Sequence, residues 1–100
     1  MKTLEFECED RYEAEKLASL MSVQKNDTVW VSRVEAVIGN EIVIQLKDRS
    51  SHAVLLKDEQ TVVSLKSFMT DLMKGKLTIQ SSACVGSVTE IIITRTALHD

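Results

Sequence analysis

The chain predicts an α+β fold: a mainly antiparallel sheet of five or six strands with two helices, in the order β-α-β-β-β-α-β-β. Three observations carry this. Leu4, Phe6 and Cys8 alternate with Glu5, Glu7 and Glu9, which is the period of a half-buried strand. Two stretches show helical spacing, Ala14, Leu17, Ala18, Met21 and Leu65, Phe68, Met69, Leu72. Between them, Gly39-Asn40 separates two strand-like runs, a strong local hairpin signal.

The elements follow in order. After the first strand, Asp10 supplies an N-cap oxygen and Glu13 stands three residues on, a capping-box-like helix start. The polar stretch 24–28 ends that helix. Strands are then expected over 29–38, 41–47 and 52–57, with Asp48-Arg49-Ser50-Ser51 as turn material. The second helix fits 62–74, capped by Thr61 or Ser64 and stopped by Gly75. Strands over 77–81 and 88–96 close the chain, around a small-residue loop at 82–87. If the first two strands lie parallel in one sheet, the connection through the first helix crosses over right-handed.

One hundred residues with 44% hydrophobic and 27% charged content form one compact domain, 1–100. No proline, linker or internal repeat divides the sequence. The acidic N-terminal stretch does not read as a signal peptide, and no run approaches the length of a membrane span. With Cys8 and Cys84 far apart and off any metal spacing, reduced thiols and a cytoplasmic location are expected. The competing arrangement is a single Cys8–Cys84 disulfide. A net charge of −3 disfavours nucleic acid as a partner. Six acids within residues 1–15 make the acidity local.

Pairing across the Gly39-Asn40 turn decides the sheet faces. A two-residue loop would put Ile42, Ile44 and Leu46 opposite Val37, Glu35 and Arg33, mixing charge into the apolar face. A three-residue loop over 39–41 pairs Ile38, Ala36 and Val34 with Ile42, Ile44 and Leu46, a loop over 38–40 gives nearly the same faces, and a four-residue turn at 48–51 then sets Ala53 and Leu55 on the same core face. The opposite face would carry Val37, Val43 and Leu56 at one end, Glu35 and Gln45 in the middle, and Arg33, Lys47 and His52 at the other.

That outer face supplies the candidate sites. Arg33, Lys47 and His52 abreast would attract an anion or acidic partner, because arginine presents a planar fork and lysine a point charge. Glu35 and Gln45 stand beside them; the competing reading is a solvated face. Val37, Val43 and Leu56 form an apolar interface patch, or are covered by the chain's own elements. The ridge Glu5, Glu7, Glu9 reads as protection of a strand edge, with docking of a basic partner or weak binding of a divalent ion as the competing readings. The 81–87 loop lacks the spacing of a phosphate loop. Trp30 reads as a packing anchor.

No catalytic residues are assigned: Cys8 points inward by alternation, and nothing in the spacing supports a Cys84–His52 pair. No metal site and no cofactor are expected. The expected function is a small non-catalytic interaction or regulatory protein, binding another protein or itself as a homo-oligomer through a sheet face. The alternative is a module binding a small anion or nucleotide over Arg33, Lys47 and His52. Predicted core residues are Leu4, Phe6, Leu17, Met21, Val34, Ile42, Ile44, Leu46, Leu55, Leu65, Phe68, Leu72 and Ile92 or its neighbours.

Overall fold

A computed structural model describes residues 2–26, 30–36 and 38–95. The elements are β1 (Lys2–Glu7), α1 (Arg11–Asn26), β2 (Val31–Ala36), β3 (Glu41–Leu46), β4 (Ser51–Leu55), α2 (Glu59–Met73), β5 (Leu77–Val85) and β6 (Val88–Arg95). The α+β class and the element order are as expected. The single sheet is not: two three-stranded antiparallel sheets form, ordered β1-β6-β5 and β2-β3-β4. Since β1 and β2 fall in different sheets, there is no parallel crossover between them.

The sheets meet at one seam. Cys8 and Leu56 form an isolated antiparallel bridge just past β1 and β4, flanked by a 2.9 Å bond from the Lys57 N–H to the Glu7 carbonyl. The Cys8 N–H turns outward to the Ser87 carbonyl at 2.8 Å, and the Leu56 N–H turns to the Asn40 carbonyl at 2.8 Å. Each hairpin tip is thereby tied to the end of the strand beside it.

This symmetric pattern exposes a repeat that the sequence hides. The chain is two βαββ units, β1-α1-β2-β3 and β4-α2-β5-β6, matching at one nearly constant spacing. Buried α1 positions Ala14, Leu17, Leu20, Met21 and Gln24 recur as Val62, Leu65, Phe68, Met69 and Leu72 in α2. Helix-start acids Asp10 and Asp58 correspond, accepting from Glu13 N–H at 2.9 Å and Thr61 N–H at 2.8 Å. Ile42, Ile44 and Leu46 correspond to Thr89, Ile91 and Ile93, all buried. Even the β-bulges coincide, between Val31 and Arg33 in β2 and between Ile79 and Ser81 in β5. Only the shape recurs consistently, because most paired positions keep polarity but not identity.

The units are intertwined. β1 pairs with β6 of the other unit, and β4 pairs with β3. α1 packs on β5 and β6, while α2 packs on β2 and β3. One core results, with Leu17, Met21, Ile42, Ile44, Leu56, Leu65, Met69 and Ile91 fully buried and Phe6 against Phe68 at 6.3 Å between ring centroids.

Local chemistry sets the element ends. α2 starts earlier than expected, because its cap is Asp58 rather than Thr61 or Ser64. Its end follows the expectation: the Gly75 N–H bonds the Leu72 carbonyl at 3.0 Å and the Lys76 N–H bonds Asp71 at 3.0 Å. The expected loop at 82–87 is mostly strand, since β5 runs to Val85 and only Gly86-Ser87 turn the chain. Gly39 (φ 59°) and Gly86 (φ 63°) hold equivalent left-handed positions in the two hairpin turns.

The β2–β3 faces come out as expected, in the pairing that a loop over 38–40 gives rather than one over 39–41. The turn is closed by Glu41 N–H on the Ile38 carbonyl at 3.2 Å, yet Ala36 pairs with Ile42 and Val34 with Ile44. The β4 face is inverted. His52 lies opposite Ile44 and Val54 opposite Ile42, so Val54 and Leu56 enter the core in place of Ala53 and Leu55. The cause is the β3–β4 turn. The Arg49 N–H bonds the Leu46 carbonyl at 3.0 Å, Arg49 takes φ 72°, and the Leu46 N–H reaches the Ser50 carbonyl at 2.9 Å. Leu46 and Ser50 thereby flank a three-residue turn, 47–49, in place of the expected 48–51, and that odd shift in register inverts the faces of β4.

Candidate functional site

The expected basic row is not assembled. Arg33 is exposed and lies opposite Gln45. Lys47 falls beyond the end of β3, its backbone N–H on the Trp30 carbonyl at 2.9 Å and its ammonium 6.0 Å from the Trp30 ring centroid. His52 is half-buried on the opposite, α1-facing side. Gln45, half-buried, lies between Arg33 and Ser51; Glu35 is opposite Val43. The apolar row is also broken: Leu56 is fully buried, Val43 is half-buried, and Val37 lies outside the described residues.

A cavity of about 480 Å³ lies elsewhere, between α2 and the β1-β6-β5 sheet. Alternation in β1 and β6 places Leu4 and Ile93 on the inner face, and with Phe68 and Leu77 they make an apolar floor. The rim is basic and hydroxylic. Lys2, Lys76 and Arg95 reach it from three strand and loop ends, Ser64 and Ser67 from one turn of α2, and Asp71 supplies the single carboxylate among the described lining residues. A basic rim above an apolar floor suits a ligand with an anionic end and an apolar body.

The repeat provides an internal comparison. The positions related to it by the repeat, Lys16, Ser19, Leu20, Val23 and Leu46 of the first unit and His52 of β4, line a cleft of about 230 Å³ between α1 and the other sheet. There Lys16 stands where α2 has Ser64, and its ammonium donates to the Ala53 carbonyl at 2.8 Å. His52 replaces Leu4 in the floor. The cleft beside α1 is therefore the smaller of the two, and a lysine on its lining is bonded to β4.

The cysteines do not form a nucleophilic centre. Cys8 is buried, and burial pushes its thiol up to about 11, opposite to the direction that activates a thiol. Cys84 lies on β5 and donates its thiol to the Gly86 carbonyl at 3.4 Å, whereas His52 is in the other sheet. The two cysteines are free thiols. Among the described residues no cluster of His, Cys, Asp and Glu could hold a metal ion, and no helix is long and apolar enough to cross a membrane. The acidic ridge is partly neutralised, with Lys57 Nζ 3.2 Å from Glu7.

Sequence reasoning missed the cleft beside α2 because its residues come from β1, α2, β5 and β6, which a linear reading does not bring together. A repeat search keyed to burial pattern rather than identity would have found its framework. Compared with family models, curated proteins and solved structures, the chain matches none of them.

Proposed function

We propose that the chain is a non-catalytic binding protein that holds a small amphiphilic anion in the cleft between α2 and the β1-β6-β5 sheet. The observation that carries this reading is the convergence of Lys2, Lys76 and Arg95 over the floor of Leu4, Phe68, Leu77 and Ile93. The class of ligand is the one foreseen for Arg33, Lys47 and His52; the location is different. Thermal unfolding with hexyl phosphate and hexyl alcohol tests it. A ligand that binds only the folded state must raise the melting temperature. Hexyl phosphate should do so, hexyl alcohol should not, and Lys76→Glu should abolish the shift. No shift with millimolar hexyl phosphate refutes the reading.

A second reading, contact with another protein or with a second copy, draws on the hairpin tips. Ile38 (81% exposed) and Val85 (74% exposed) occupy equivalent positions beside Gly39 and Gly86. Light scattering on wild type and on an Ile38→Ser/Val85→Ser variant tests it. A wild-type mass above the monomer that falls in the variant supports self-association, and a monomeric mass in both removes it.

A further inference from the structure

Gln24 breaks the pattern of the repeat in a way that the fold does not require. Its side chain is 4% exposed, at the helix position that Leu72 fills in the second unit. The Val31 N–H donates to Oε1 at 3.2 Å, which fixes the orientation of the amide. Nε2 is then a buried donor with no partner among the described residues. Leaving such a donor unpaired is costly, and leucine at this position would avoid that cost.

Gln24 lines a cavity of about 290 Å³ together with Lys25, Trp30, Leu72, Leu77 and Ile79. Two more of these residues depart from their repeat partners, Lys25 against Met73 and Trp30 against Thr78. The cavity thus gains an amide donor, an ammonium and an indole that the second unit lacks. Among the described lining residues no carboxylate is present. Leu72, Leu77 and Ile79 supply an apolar wall, beside Gly75 and the Thr78 hydroxyl.

We propose that this cavity is a second binding site, specific for a small carboxylate with a flat apolar body. The carboxylate accepts from Gln24 Nε2 and pairs with Lys25, while the apolar body lies against Trp30 and the aliphatic wall. The volume suits a ligand about the size of a substituted ring.

Trp30 is the only tryptophan in the chain, so its emission reports on this cavity. Phenylacetate titrated into the full chain should change that emission saturably, and phenethylamine, with the charge reversed, should not. Gln24→Glu keeps an oxygen for the Val31 N–H and removes the donor, so it should weaken phenylacetate binding by roughly fivefold or more. Should circular dichroism show that variant to be unfolded, Lys25→Glu, at an exposed helix position, carries the same expectation. No saturable change up to about 20 mM phenylacetate means that water alone satisfies Gln24, which overturns the proposal. An equal response to phenethylamine, or a folded variant weakened by less than about fivefold, overturns it as well.

Discussion

Cys8 and Leu56 face each other across the seam between the two sheets, each with its own N–H bonded away to a hairpin tip. A directly opposed pair of this kind brings Cα atoms to about 4.5 Å, within the range that a disulfide spans. Leu56→Cys should therefore form a bond to Cys8 under mild oxidation. The oxidised form of that variant should be more stable than its own reduced form by about 2–4 kcal/mol, read from denaturant unfolding with and without reductant.

Glu5 and Glu90 are cross-strand partners in β1 and β6, and both are exposed. Like charges directly opposite one another destabilise a sheet. Glu90→Lys should raise stability by about 0.2–1 kcal/mol, with the gain shrinking in high salt.

Asp58 caps α2, and its carboxyl is held below the ordinary value of 3.8 by the Thr61 N–H and then by the Thr61 hydroxyl. The stability this contributes is fully present above that ordinary value. It is lost as pH falls through the lower folded value. Asp58→Asn should keep the cap at neutral pH but flatten the acid limb of the unfolding curve, and Asp58→Ala should lower stability at neutral pH as well. Melting temperatures between pH 2 and pH 7 separate the three proteins.

Leu17 and Leu65 are repeat partners and both are fully buried. Each change to alanine should cost about 2–5 kcal/mol, and neither helix should melt ahead of the other, because each packs on strands of the opposite unit. Denaturant curves followed by circular dichroism and by Trp30 emission should coincide in both variants.

Segments 1–49 and 50–100, made separately, should each lack stable structure, since β1 needs β6 and β4 needs β3. An equimolar mixture should recover helical circular dichroism. Full helicity in either segment alone would contradict the interlocked packing.

Both helices were legible in the sequence because their apolar stripes are long and their ends carry chemical signals, Asp10 and Gly75 among them. The β1 and β3 core residues were legible from alternation, whereas the run Ile91-Ile92-Ile93 left the faces of β6 open, and it is Ile91 and Ile93 that are buried. What failed were features set by single backbone conformations. Nothing about Arg49 announces a left-handed φ, yet that residue inverts β4 and breaks up the Arg33, Lys47, His52 row. The repeat stayed hidden because pairs such as Leu20 with Phe68, or Ile42 with Thr89, share burial and not chemistry. Gln24 gave no signal, since its departure is visible only beside Leu72.

The pairing of β1 with β6 bears on how the protein is made. As the chain is synthesised, β1 is made well before β6, so Phe6 and Leu4 wait for their partner strand while the elements between are made. Contacts so distant in sequence close slowly, and an apolar strand waiting in that state is open to other nascent chains. Glu5, Glu7 and Glu9 alternate with those apolar residues, and their mutual repulsion keeps two such waiting strands apart. The acidic ridge thus guards an interval in the life of the chain that the finished fold no longer shows.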